Sequence, residues 1–234
     1  MGHKAQLPDK PNRSIRDPEA TKQQILDGAE IEFARQGLNG ARVDAICASL
    51  RDATRTLFTR FAIALRAGVA PRMIYYYFQS KEGLYQAVLQ RPANFLHTVF
   101  EQLNLDELPP DVALTSLIQA AIEYETTNRN RGMLLFQEAI HNQGRYFKLI
   151  NWQEPISLLA KILERGVEAG VFRPLDIQMT TLSIIGICTF YANAYENVKH
   201  LAPDQDLLSQ TMIERYTQAA IQLALIGIQT SPLD

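Results

Sequence analysis

Apolar residues recur at helical intervals along nearly the whole chain, while the two-residue alternation of half-buried strands is hard to find. The pattern predicts an all-α fold. Ile25, Ala29, Phe33 and Ala34 form the apolar stripe of a first helix, opened by Asp17 as N-cap with Pro18 behind it and ended at Gly37. A second helix is expected from Val43, a tight turn at Ala67-Gly68, a short third helix from Pro71 to Phe78, and a fourth from Lys81 with Ser80 as its cap. Pro92 falls in or just past this fourth helix, where it is expected to kink it. Further helices are expected at roughly 94–104, 111–127, 131–142, 146–169, 176–199 and 205–228, with Pro155 splitting the fourth of these.

Charge divides the chain in the same place. Residues 1–91 hold 14 Lys and Arg against 9 Asp and Glu, net +5, and the remainder holds 9 against 16, net −7, which sums to the formal −2 of the whole. A basic first third suggests a part that meets phosphates, beside an acidic part that does not. The expected organisation is a loose arm over 1–17, a first domain over 18–91 and a larger helical domain over 92–234. Cys47 and Cys188 lie in apolar helical contexts without metal-ligand spacing, as free thiols do in a reducing cytoplasm. The first residues lack the apolar core of a secretion signal, and the apolar runs elsewhere are too short to span a bilayer, so a cytoplasmic protein without a membrane partner is expected. The four histidines are scattered, and no nucleophile, paired-acid, phosphate-loop or metal motif appears; neither an enzyme nor a cofactor is expected.

Two helices joined by a short glycine-containing turn, the second of them short and rich in groups that touch DNA, make a helix-turn-helix unit. Here the turn is Ala67-Gly68-Val69, followed by Arg72, Met73, Tyr75, Tyr76 and Tyr77, with Phe78 packing inward. Arginine reads guanine edges or phosphates bidentately, and tyrosine hydroxyls reach phosphates. Consecutive helical residues cannot all face one way, so part of the tyrosine run belongs to the core.

Over about 18–90 the sequence resembles the tetracycline-repressor-like (TetR) family of bacterial regulators. The resemblance rests on Thr21-Lys22, Ile25-Leu26, Ala29, Phe33-Ala34 with Gly37, Val43-Asp44-Ala45-Ile46, Ala67-Gly68-Val69, Ile74 to Phe78, and Ser80-Lys81-Glu82-Gly83-Leu84. It implies a recognition helix at Pro71–Phe78, phosphate contacts near the starts of helices one, two and four, and DNA contacts from Thr21, Lys22, Arg42, Pro71, Arg72, Met73, Tyr75, Tyr76 and Lys81. Lys81 stands at a helix N-terminus, itself an anion site. In the family, the isoleucine matching Ile46 is followed almost at once by the stretch that here reappears at Ile63, an offset of 63 − 46 = 17 residues. The extra segment, about 47–63, carries Leu50, Leu57, Phe58 and Phe61 on one side and is expected to form a helix of its own. The alternative is a rearranged head with altered or lost DNA binding, which would leave a helical interaction or sensing protein.

In the larger domain, small residues among apolar ones at 176–199 and 205–228 suit two helices that pack closely against a two-fold mate, and the resemblance implies a homodimer there. Tyr124, Met133, Phe136, His141, Phe147, Trp152, Cys188 and Tyr191 form a set of aromatic and polar groups of the kind an enclosed small-molecule pocket needs, and the resemblance implies such a pocket; each alone reads equally as core. The expected whole is a repressor that binds a pseudo-palindromic DNA operator and is released by a small-molecule effector.

Overall fold

The computed structural model describes residues 17–47 and 70–230. The expected arm up to residue 16, the extra segment from residue 48 on and the Ala67-Gly68-Val69 turn lie outside the described residues. The helices are α1 (Pro18–Gly40), α2 (helical over 43–47), α3 (Pro71–Phe78), α4 (Lys81–Gln102), α5 (Pro110–Thr127), α6 (Arg129–Asn142), α7 (Gln153–Glu168), α8 (Ile177–Asn193), α9 (Tyr195–Val198) and α10 (Gln210–Ile228), with a 3₁₀ turn at Phe147–Leu149 before α7. Among the described residues the one β-type pairing is an isolated antiparallel bridge between Phe172 and Gln229.

Two starts have a clear local cause. Asp17 accepts from the Glu19 N–H with Pro18 behind it, and Asp176 accepts from the Met179 N–H to open α8. Gly37 breaks α1 as expected: its φ of 63° lies in the left-handed region, and a last turn follows to Gly40. The 146–169 stretch is split as expected, a short 3₁₀ piece at Phe147–Leu149 preceding α7; Pro155 itself sits in the first turn of α7, where an amide N–H has no intrahelical partner to lose.

Pro92 falls inside α4, which runs through it, so the separate helix expected at 94–104 is the second half of α4. Buried contacts on both sides hold the helix together. Its first half gives Leu84, Tyr85, Val88 and Leu89 to a head core with Ile25 and Phe33 of α1 and Ile74 and Phe78 of α3. Its second half gives Leu96 and Phe100 to a body core with Leu114 and Ile118 of α5, Ile162 of α7, Ile184 of α8 and Ile221 of α10. The boundary expected at 91–92 therefore falls inside one helix. Nor do the cores follow chain order: Leu134 of α6, Tyr146 and Ile150 belong to the head core.

Polar ties reinforce the seam between the head and α6. Arg91 of α4 donates to Asp27 at 2.6 Å and to Glu30 at 2.7 Å, and Arg131 of α6 donates to Glu30 at 3.1 Å. Beneath them Glu138, 1% exposed, accepts from the Tyr85 hydroxyl (3.1 Å), Asn142 Nδ2 (2.7 Å) and the backbone N–H groups of Tyr146 (2.6 Å) and Phe147 (3.3 Å). Tyr85 meets Phe33 edge-on at 5.0 Å and Tyr146 at 5.5 Å, and burial beside Glu138 raises its phenol above the ordinary range.

Candidate nucleic-acid interface and ligand cavity

Helix α3 is eight residues long, and its two faces follow from its sequence. Ile74 and Phe78, one turn apart, are buried in the head core, with Met73 and Tyr77 half-buried beside them. The opposite face carries Pro71, Arg72, Tyr75 and Tyr76, all exposed, Tyr76 to 80%. A tyrosine so far out of the core, edge-on to Tyr77 at 5.1 Å, is not explained by intramolecular packing.

The connection to α4 fixes this helix. Gln79 takes a positive φ of 65°, and Ser80 accepts from the Gly83 N–H at 2.9 Å. A Cβ on Gly83 would stand 2.2 Å from the Phe78 carbonyl oxygen, so only glycine allows α4 to start this close to the end of α3. Ser80, Gly83 and Leu84 of the Ser-Lys-Glu-Gly-Leu run are thus structural, and Lys81 is half-buried at the helix N-terminus. Among the remaining candidates, Lys22 is half-buried in the first turns of α1 and Arg42 is exposed, 3.9 Å from Asp44. Thr21 is buried and its hydroxyl donates to the Asp17 carbonyl at 3.0 Å, so its side chain is engaged within the helix start.

A cavity of ≈ 200 Å³ lies in the body, walled chiefly by Leu96 and Phe100 of α4, Leu117 of α5, Leu159 of α7 and Ile184 of α8. Of the residues expected at a pocket, Phe147, Trp152 and Cys188 are in this wall, Phe147 and Trp152 stacked at 6.0 Å. The other five are elsewhere. Tyr124 stacks on Phe95 at 5.0 Å, Met133 packs on the head core, and Phe136 and His141 are exposed. Tyr191 is buried, stacked on Tyr216 at 4.2 Å and donating to the Leu207 carbonyl.

The wall holds one carboxyl, unexpected there: Glu125, 6% exposed. Desolvation pushes its carboxyl up to about 7, opposed only by the Asn193 amide, which donates at 3.3 Å. α6 passes over this pair at Gly132, where a Cβ would lie 2.5 Å from the Glu125 carboxyl and 2.2 Å from Asn193 Oδ1. The same burial, with Glu125 nearby, raises the Cys188 thiol to about 12, an unreactive thiol. A signal for Glu125 was available: it continues the α5 stripe of Leu114, Leu117, Ile118, Ala121 and Ile122. A carboxyl on an apolar stripe is either paired or functional.

A third surface is apolar and outward. On α8, Met179, Leu182 and Phe190 are exposed along one side with Gly186; on α10, Leu223 and Ile226 are exposed beside Gly227.

These features together define a helix-turn-helix head joined to a helical body. Comparison with known proteins agrees: the family model for the tetracyclin repressor-like C-terminal domain matches residues 110–223, and that for bacterial regulatory proteins of the tetR family matches 62–88, beginning at the end of the extra segment. The chain belongs to the TetR family, whose members are transcriptional regulators and not enzymes. It is 29% identical over 191 residues to the HTH-type transcriptional repressor NicS of Pseudomonas putida, covering 79% of this chain and 82% of that one. Over 178 residues it is 26% identical to the HTH-type transcriptional repressor KstR2 of Mycolicibacterium smegmatis, covering 74% and 76%. The ketosteroid transcriptional regulator KstR2 of Mycobacterium tuberculosis has the same fold, with a TM-score of 0.64 at 16% identity over 95% of this chain and 100% of that one. Among the described residues no helix is long and apolar enough to cross a membrane.

Proposed function

We propose that the protein is a cytoplasmic, ligand-responsive repressor that binds a pseudo-palindromic operator as a homodimer. The observation that carries this reading is the outward face of α3, where Arg72, Tyr75 and Tyr76 stand exposed on a helix anchored from behind by Ile74 and Phe78. Arg72 supplies bidentate base or phosphate contacts and the tyrosines supply phosphate contacts, with Lys81, Lys22 and Arg42 as further cations on the backbone. Pro71 and Met73 flank this face, and Thr21 acts by holding the start of α1.

One short helix reads few base pairs, so specificity requires two copies about one DNA turn apart. The exposed apolar sides of α8 and α10, with glycines where a partner backbone approaches closely, suit a four-helix interface between two chains. The cavity in the body serves as the effector site, its occupied form favouring a dimer whose recognition helices no longer match successive major grooves.

Selection of bound fragments from a random DNA pool tests the reading. The expected result is a two-fold symmetric site whose affinity falls steeply with salt. Recovery of no palindrome and a flat salt response would instead favour the helical interaction protein.

A further inference from the structure

We propose that the body cavity selects small organic cations, an apolar body carrying one protonated nitrogen, with Glu125 as the group that recognises the charge. The proposal rests on the reading of this cavity as the effector site and names the ligand class. At ≈ 200 Å³ the cavity is below the ~300–1,000 Å³ of drug-sized sites, which limits the occupant to a single-ring or similarly small molecule.

Its wall is hydrocarbon except at a few points. Cys188 carries a protonated thiol, and the Thr189 hydroxyl is already donated to the Ile185 carbonyl at 2.9 Å. Two groups are left with capacity. Trp152 Nε1 is buried without a partner, and the Glu125 carboxyl has a single donor at 3.3 Å. No Lys, Arg or His is among the wall residues, and the nearby arginines are committed elsewhere: Arg131 to Glu30, Arg129 to Glu196. A carboxylate ligand would therefore lie beside Glu125 without a counter-charge, whereas a cation supplies the partner that Glu125 lacks. A neutral hydrocarbon of equal size satisfies the wall and leaves Glu125 as it is.

The chain's one tryptophan is Trp152, in the cavity wall, so intrinsic fluorescence reports occupancy. The test titrates the full-length protein at pH 8 with benzylammonium, benzyl alcohol and benzoate, near-isosteric molecules of charge +1, 0 and −1. The expected result is binding of benzylammonium at least about tenfold tighter than benzyl alcohol, with no saturable signal from benzoate. Glu125→Gln is expected to bring benzylammonium down to the level of benzyl alcohol, and an unchanged circular dichroism spectrum checks that the variant is folded.

A second measurement needs no variant. With Glu125 titrating at about 7, the affinity of the cation is expected to rise about tenfold from pH 6 to pH 8, following the ionised fraction of the carboxyl, while that of the alcohol stays flat. The titratable groups that interact with Glu125 are Cys188 on α8 and Tyr124 on α5, both protonated across this range. Arg131 of α6 stays charged; Tyr216 of α10 is raised further from the range; and His97, which pairs with Glu101 on α4 and Glu154 on α7, is not among the residues of the cavity wall. Equal binding of all three probes would overturn the charge selectivity and leave the effector cavity standing. Binding of none of them would overturn both.

Discussion

Replacing Glu138 by alanine removes the acceptor that joins α4 to α6 and to the segment after it. Four donors converge on this carboxyl, and two of them, the Tyr85 hydroxyl and the Tyr146 N–H, are buried. After the substitution Asn142 Nδ2 still donates to the Tyr85 oxygen at 3.3 Å, but the phenolic proton has no acceptor and neither has the Tyr146 N–H. Each buried donor left unpaired costs about 1–3 kcal/mol, and the lost side-chain volume adds about 1 kcal/mol. The expected loss is about 4 kcal/mol, which for a chain of this length lowers Tm by roughly 8–16 °C. Tyr85→Phe, which deletes one donor and keeps the acceptor, is expected to lose only about 1 kcal/mol, and the double variant to lose less than the sum because the two changes share one bond. Denaturant and thermal unfolding at fixed pH and protein concentration measure all three. A Glu138→Ala variant within about 1 kcal/mol of the parent, or strict additivity with Tyr85→Phe, would show that the four donors find water or other partners and that the node is not what ties the seam.

Tyr76→Ala and Arg72→Ala lie on an exposed face, so stability is expected to change by no more than about 0.5 kcal/mol while affinity for the selected DNA falls about 10–100-fold; circular dichroism with a gel-shift titration checks both. Ile226→Glu on the outward side of α10 is expected to shift the protein from dimer to monomer in sedimentation equilibrium, since a charge would be buried in an apolar interface; an unchanged dimer would move the interface elsewhere. For Glu125 the folded carboxyl sits at about 7 against 4.5 in the open chain, so the folded state binds the extra proton between these values and its stability falls as pH rises through that window. Glu125→Gln lacks this penalty: it is expected to match the parent near pH 4.5 and to exceed it by on the order of 3 kcal/mol at pH 8, and a difference constant with pH would refute the assignment.

The head helix α3 was readable because its signals are local: proline at the first position, and two buried residues one turn apart. The continuity of α4 was not, since a proline argues for a break and only the two cores on either side of Pro92 overrule it. Membership of α6 in the head core is likewise invisible to periodicity, which says that Leu134 is buried but not against what. At the cavity, aromatic content pointed to Phe147 and Trp152 and equally to Tyr124, Phe136 and Tyr191, because residue type does not reveal which ring closes a void and which stacks on a neighbour. The aliphatic wall carries no signal beyond ordinary core, and the signal for Glu125, its place on the apolar stripe of α5, says that it is buried but not what it lines.

The placement of Phe147 gives the proposed ligand response a physical route. Its ring is part of the cavity wall, stacked on Trp152, while its N–H is one of the donors held by Glu138. Leu135, one helical turn before Glu138 on α6, also lines the cavity and packs against the head core. Phe147 therefore touches both the void and the group that fixes Tyr85 against Phe33 of α1, and Leu135 touches both the void and the head core. A close-packed wall does not deform continuously, so a ligand that displaces Phe147 or Leu135 must either be rejected or shift α6 and the Glu138 node with it. Because α6 is also clamped to α1 through Arg131 and Glu30, and Arg91 ties α4 to the same glutamate, the shift reaches the helices that carry α3 without any long chain of intermediaries. In the proposed response, the two arginines on Glu30 and the donors on Glu138 would set how far occupation of the body turns the head.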